Sequence, residues 1–311
     1  MQKQLHILTL IGVLTFCSCE TDSDLKLHNS SSYVLTALVY PDSAINVCAY
    51  KSVSYNNTDD YALLNNVYVA LSINNANADT LPLPPDSYYV TFAQRTIEPD
   101  DEVKVELIDA NQRQLCSATT TILSPVPIDH VRHSVQTLSG DTTQNITINI
   151  DEPSATTDYY QIKVRLHELF ADGTEIIRPL DCDFYDYLFY IAKSTINVIT
   201  SSMPDGVFID EQINGRKTRI SFRIEQRYLL PTQSNSELTL EILLYRHTYD
   251  YYNFLLTSYM AKEYLILPVF GVSSVYSNVE NGVGIVSGMA VSKYELKLYK
   301  DELDKEHIIL L

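Results

Sequence analysis

The sequence predicts a mainly β protein of two consecutive antiparallel β-sandwiches, the second carrying one short amphipathic helix. Three observations lead there. Apolar and polar residues alternate over many short runs, as in strands with one buried face. The connections between these runs are rich in Asn, Asp and Pro. The Pro-rich break Ser124-Pro125-Val126-Pro127 then divides the 311 residues into two lengths, each able to bury its own core.

At the N-terminus, Lys3 precedes an apolar run from Leu5 to Phe16, too short to span a bilayer, so residues 1–18 read as a signal peptide. The following Phe16-Cys17-Ser18-Cys19 sets a small residue before a cysteine and resembles the lipobox of bacterial lipoproteins. That resemblance implies that Cys19, rather than Cys17 behind bulky Phe16, carries diacyl (palmitate-type) lipid and becomes the mature N-terminus. The alternative is a periplasmic protein with Cys19 free. Residues 19–30 then form an anchor and acidic tether. Glu20, Asp22 and Asp24 resemble the surface-export signal of Bacteroidota lipoproteins, while like charges also keep such a tether extended.

The first sandwich is expected over residues 31–124. Val67, Val69, Leu71 and Ile73 face one side of a strand, and Tyr68, Ala70 and Ser72 the other. Val103, Val105 and Leu107 repeat the pattern with Lys104 and Glu106 outward. With Tyr33 to Tyr40, Ile45 to Tyr50, Tyr88 to Phe92 and Leu115 to Ile122, about seven strands result, an immunoglobulin/fibronectin-III-like count. Proline cannot donate to a sheet ladder, so the boundary falls at Pro125 and Pro127.

The second sandwich is expected over residues 125–311. Its strands are marked by Ile146, Ile148 and Ile150; by Tyr160, Ile162, Val164 and Leu166; by Ile220, Phe222 and Ile224; by Leu238, Leu240, Ile242 and Leu244; and by Tyr294, Leu296 and Leu298. One stretch changes period. Tyr252, Leu255, Leu256, Tyr259 and Met260 recur at helical spacing, predicting a helix near 250–263, laid over the sandwich, with Asp250 as its N-cap.

Charge and cysteines exclude several functions. A formal charge of −17 repels nucleic acid and favours cations or basic surfaces, besides keeping the protein soluble. After the anchor only Cys48, Cys116 and Cys182 remain, without zinc or redox spacing; Cys48 and Cys116 either pair across the first sandwich or are buried free thiols.

Several segments taken together resemble one family. Pro268 and then Val275-Tyr276-Ser277-Asn278-Val279-Glu280-Asn281-Gly282-Val283-Gly284-Ile285-Val286 look like the closing signature of the domain of unknown function 4249 family. Pro125-Val126-Pro127-Ile128, Asp151-Glu152-Pro153, Asp210-Glu211-Gln212-Ile213-Asn214-Gly215 and Tyr251-Tyr252-Asn253-Phe254-Leu255 fit in the same order. Val286 stands where the family usually has Phe, and Ser287 where a Gly is common. The resemblance implies an outer-membrane lipoprotein of Bacteroidota, held by lipid on Cys19, facing the cell exterior beside a TonB-dependent β-barrel receptor. It assigns no chemistry.

The constellations that carry chemistry are weak. No Gly-x-Ser-x-Gly elbow is present. Asp129, His130 and His133 would share a metal only on a helix, and after the Pro-rich linker a turn is expected. Asp181, Asp183 and Asp186 are oxygen-rich but lack the Gly and distal Glu of an EF-hand, so they read as a solvated loop. Asp205, Asp210, Glu211 and Asn214 before Gly215 read as a turn sooner than a cation site. Asn281, Gly282 and Gly284 precede β-like sequence, so they read as a turn or bulge, not a phosphate loop. No metal and no cofactor is expected.

The aromatic run Phe184, Tyr185, Tyr187, Phe189 and Tyr190 is the place to look for a binding surface, with Tyr185, Tyr187 and Tyr190 as candidate ligand contacts. Asp42-Ser43-Ala44, Asp79-Thr80-Leu81 and Asp141-Thr142-Thr143 resemble short O-glycosylation acceptors on surface loops. The expectation is therefore a non-enzymatic accessory or binding module for a TonB-dependent uptake receptor. A structural or adhesive surface lipoprotein is the alternative, and a hydrolase ranks third.

Overall fold

The structure, a computed structural model, describes residues 31–41, 43–54, 58–76, 78–138, 141–154, 156–189, 206–233, 235–266 and 274–298. The chain from Ser32 onward forms one compact unit. That body is built from fifteen described strands and one long described helix.

The first core is closed by seven strands: β1 (Tyr33–Val39), β2 (Ile45–Lys51), β3 (Val67–Ile73), β4 (Asp79–Pro82), β5 (Tyr89–Phe92), β6 (Glu102–Asp109) and β7 (Gln114–Thr121). One sheet runs β4-β3-β6-β7; β1, β2 and β5 belong to the sheet opposite. Their inward residues interleave: Leu35, Ala37, Ile45, Val47 and Phe92 against Val69, Leu71, Val103, Val105 and Leu107. Strict alternation makes this possible, because every second side chain must leave water. It also separates the thiols. Cys116 is buried among the core residues, whereas Cys48 lies between inward Val47 and Ala49 on β2 and so faces away from that core; the two are not paired with each other.

The second core lies between β13-β9-β8 and the strands β11-β10-β14. These are β8 (Ile128–Leu138), β9 (Asp141–Asp151), β10 (Tyr159–Leu169), β11 (Glu175–Leu180), β12 (Val207–Ile209), β13 (Lys217–Glu225) and β14 (Glu237–His247). Ile146, Ile148, Ile150, Ile220, Phe222 and Ile224 face Tyr160, Ile162, Leu166, Leu240, Ile242 and Leu244. Residues 122–127 have no regular structure, and Val126 is buried in this second core.

The sandwiches share a strand. β15 (Val283–Leu298) pairs in parallel with β1 through Val34↔Val283 to Val39↔Gly288, and antiparallel with β14 through His247↔Met289 to Leu238↔Leu298. One continuous sheet, β11-β10-β14-β15-β1-β2-β5 with β12 on β10, therefore lies under both cores. Val279 and Val286, late in the chain, pack in the first core, while Leu298 packs in the second. The parallel β1–β15 pair is an addition to the antiparallel scheme. Gly284, at φ 127, permits it: a Cβ there would stand 2.1 Å from the Leu35 carbonyl oxygen.

Two other differences are local. His130 and His133 lie on β8, neither in a turn nor on a helix; three residues apart on a strand, their side chains take opposite faces. The helix α1 spans Tyr249–Ile266 and is longer than expected. Of its apolar stripe only Tyr252 is buried; Leu255, Leu256, Tyr259 and Met260 are half-buried, as is the rest of the helix from Tyr251 to Ala261.

Candidate functional site

Three carboxylates meet inside the second sandwich, at the end where β9, β12 and the entry to β10 converge. Glu152 follows β9, Asp158 precedes β10 and Asp210 follows β12; they are 3%, 4% and 0% exposed. One oxygen of each lies within 4.8 Å of the others. Pro153 stops the β9 ladder and leaves Glu152 pointing inward. A turn winds around Asp210, whose carbonyl accepts from Ile213 N–H (2.7 Å) and Asn214 N–H (2.8 Å). Gly215, at φ 70, closes that turn and donates its N–H to Glu152 Oε2 at 2.6 Å.

The remaining partners are few. Tyr160 Oη donates toward Glu152 Oε1 (3.3 Å) and Asp158 Oδ2 (3.5 Å). Arg246 on β14 donates Nη2 to both oxygens of Asp158, at 2.7 and 2.8 Å, and Nη1 to the carbonyl of Ser124, at 3.1 Å. Asn214 Nδ2 serves Asp210 Oδ2 (3.1 Å) and the Thr156 carbonyl (2.7 Å). Asp210 Oδ1 is buried, and among the described residues no donor reaches it. Burial, followed by repulsion from Asp210 and Asp158, raises Glu152 above the usual carboxylate range, against the pull of the Gly215 N–H. Asp210 is raised too, by burial first and then by Asp158.

Around this cluster the segments that carry the family resemblance meet. Tyr159, next to Asp158, stacks on Tyr252 of α1 at 4.6 Å. Thr248, not Asp250, caps the helix, accepting from Tyr251 N–H at 3.3 Å. Asp250 sits in the first turn and accepts from Tyr276 Oη (2.5 Å) and Asn278 Nδ2 (3.3 Å). Asn278 also bonds Val286 N–H (3.1 Å) and carbonyl (2.8 Å), fixing the start of β15. Ser287 is fully buried and exchanges a hydrogen bond with Thr248 Oγ1 at 2.8 Å.

Other residues singled out from the sequence are placed as follows. Cys19, Glu20, Asp22, Asp24, Tyr190, Asp205, Asp42 and Pro268 lie outside the described residues. Tyr185 and Tyr187 are 37% and 53% exposed, and Arg223 stacks on the Tyr185 ring at 4.5 Å. Phe189, from the same run, is core. The three aspartates nearby do not converge on one point: Asp183 pairs with Arg223 (2.5 Å), and Asp186 accepts from Leu188 N–H (3.3 Å) and Ser221 N–H (3.2 Å). An open groove of about 910 Å³ runs past Asp181, Asp183, Arg223 and Tyr228. His133 hydrogen-bonds Gln144, and among the described residues no metal-ligand group includes it. Asp79-Thr80-Leu81 lies on the short strand β4.

Sequence reasoning missed two features. It saw Asp210 but grouped it with chain neighbours, not with Glu152, Asp158 and Arg246. It also passed over a tyrosine face on the first sandwich. Tyr61 lies 5.5 Å from Tyr50 and 5.2 Å from Tyr88, which in turn lies 5.8 Å from Tyr89. Tyr61, Tyr88 and Leu63 are each 39% exposed and Tyr89 53%.

A family described as "Domain of unknown function (DUF4249)" matches residues 20–295. No curated protein matches. Among solved structures, a two-domain fibronectin type-III segment from chicken tenascin aligns with 70% of this chain and 91% of its own, at 10% identity and TM-score 0.21. A BSP domain of a biofilm-associated protein aligns with 88% of this chain and 60% of its own, at 10% identity and TM-score 0.18.

Proposed function

The chain belongs to the DUF4249 family, whose description assigns no activity, and we propose that it is a lipid-anchored, surface-exposed accessory module that binds, without turnover, on behalf of a TonB-dependent outer-membrane receptor. The observation that carries this reading is the tyrosine face. Tyr61, Tyr88 and Tyr89, with Leu63, crowd exposed rings beside β5, the last strand of the continuous sheet. Tyrosine presents an apolar ring with a polar tip and loses little freedom on contact, which suits it to peptide, sugar or loop recognition. Buried aromatics pack cores; a partly exposed cluster favours a binding role.

The acid cluster supports binding over catalysis, because carboxylates at most 4% exposed offer no reacting group to a substrate. Lipid on Cys19 would tether the first sandwich closely: the dozen residues before Ser32 span at most about 45 Å.

The test is a detergent pull-down of the tagged, lipidated protein from outer membranes, alongside Tyr61→Ser/Tyr89→Ser and Cys19→Ser variants. Stoichiometric recovery of a TonB-dependent barrel by wild type, lost in the double tyrosine variant with unchanged melting, is expected. Cys19→Ser should leave the membrane fraction. Recovery of the protein alone, or of homo-oligomers, overturns the receptor-accessory reading and favours a structural or adhesive one.

A further inference from the structure

We propose that Glu152, Asp158 and Asp210 hold one divalent hard cation, Ca²⁺ by their chemistry, which fixes the 210–216 turn against the second sandwich and, through Arg246, the Ser124 linker. The inference is independent of what the surface binds.

Charge is the first argument. Three carboxylates that are almost wholly buried face a single guanidinium, Arg246. With all acids ionised the cluster keeps two uncompensated negative charges, and buried charge persists only when paired or metal-bound. One divalent ion balances the set to zero.

The second argument is the orphaned oxygen. Asp210 is 0% exposed, its Oδ2 is served by Asn214, and among the described residues Oδ1 has no donor. Its carboxyl meets that of Glu152, so with both acids ionised two acceptors face each other. Buried acceptors ordinarily find a partner, so this one asks for a positive centre.

Size and donor type choose the ion. Oxygens on opposite sides of a Ca²⁺ ion stand roughly 4.6–5.2 Å apart, since each ligand lies about 2.3–2.6 Å away. All three carboxylate oxygens lie within 4.8 Å of one another, close enough to share one such ion. The donors are carboxylates with a phenol at the margin, the set hard ions prefer; Mg²⁺ retains several waters, which a closed site disfavours. Entry needs little movement, because Glu211, Gln212, Asn214 and Gly215 of the covering turn are at the surface.

The experiment uses the full mature chain, stripped with EDTA and titrated with CaCl₂ by calorimetry and thermal unfolding. One ion per chain and a melting temperature that climbs with Ca²⁺ are expected. Asp210→Asn should weaken binding at least tenfold and reverse the order of stability: at least as stable as wild type in EDTA, less stable in saturating Ca²⁺. Absence of binding heat and of any melting shift up to millimolar Ca²⁺ overturns the proposal. A melting point that responds to pH alone also overturns it, because a proton shared by Glu152 and Asp210 then supplies the balance. Unchanged binding by Asp210→Asn overturns it as well. If that variant fails to fold, the wild-type titration still decides.

Discussion

Lowering the pH from 8 to 5 should cost the fold about 2 kcal/mol through His247 alone. The ring is 2% exposed, stands 4.8 Å from Tyr251 and 5.9 Å from Tyr245, and among the described residues neither of its nitrogens has a hydrogen-bond partner. Burial, helped by the Lys163 charge, pushes its pKa down to about 3 from 6.5. A folded pKa below the unfolded one means that the unfolded chain takes the proton first. The stability held by neutral His247 is therefore complete above pH 6.5 and drains away as the pH falls toward 3. At pH 5 the unfolded imidazole is about 1.5 units below its pKa, and at about 1.4 kcal/mol per unit this gives about 2 kcal/mol. His247→Phe keeps a ring between the two tyrosines and removes the titration. Groups such as Glu152, Asp210 and His167 titrate in both proteins and cancel in the difference. Urea unfolding at pH 8, 6.5 and 5, read by circular dichroism, gives that difference; any packing cost of Phe is the same at each pH. Stability profiles of wild type and variant that stay parallel within about 0.5 kcal/mol would refute the reasoning.

Glu168→Ala should destabilise by about 3–5 kcal/mol in urea unfolding, because this carboxylate is wholly buried and accepts from Thr232 N–H (2.6 Å), Thr232 Oγ1 (2.9 Å), Ser236 Oγ (2.7 Å) and Arg178 (3.2 Å). Burial opposes its charge, yet those hydrogen bonds hold its pKa below the usual value, so its contribution is present above about pH 4.3 and lost on acidification below it. Gly284→Ala should cost at least about 2 kcal/mol and raise hydrogen exchange along β1, since a left-handed φ and the Leu35 carbonyl both exclude a Cβ; equal melting would refute the close approach. In a maleimide time course on the folded protein, Cys48 and Cys182 should react first. Cys116, 0% exposed and pushed up to about 11 by burial, should react only at the rate of global unfolding.

Legibility in the sequence followed the strength of alternation. β3, β6, β10 and β14 were plain because their inward positions are unbroken apolar series, such as Leu238, Leu240, Ile242 and Leu244. β8 was hidden because His130 and His133 directly follow the Pro-rich linker, where a turn is expected, and its Ile128–His130 step carries a bulge. β11 was hidden because Ile176 and Ile177 are adjacent and both exposed on an edge strand, which erases the period. That β15 serves two cores could not be read at all. Only Tyr294, Leu296 and Leu298 mark a strand in sequence, and only the parallel pairing with β1, some 250 residues away, shows where the first half of the sixteen residues belongs.

The acid cluster fails to appear in sequence for a related reason. Asp210 and Glu211 are neighbours in the chain, yet the turn sends Asp210 inward and leaves Glu211 in solvent. Glu152, Asp158, Asp210 and Arg246 come from four separate places and are joined only when β10 pairs with both β12 and β14. The segments that did carry a signal, around Glu152, Asp210, Tyr252 and Asn278, resemble a family rather than a chemistry, and the structure suggests why. Each supplies a contact that holds one element to the next: Glu152 to Gly215, Tyr252 to Tyr159, Asn278 to Val286. Residues chosen for such joints are polar, buried and scattered, so they mimic the look of a catalytic set. Their exposure is what separates the two, since a catalytic carboxylate must reach a substrate and Glu152, Asp158 and Asp210 are at most 4% exposed.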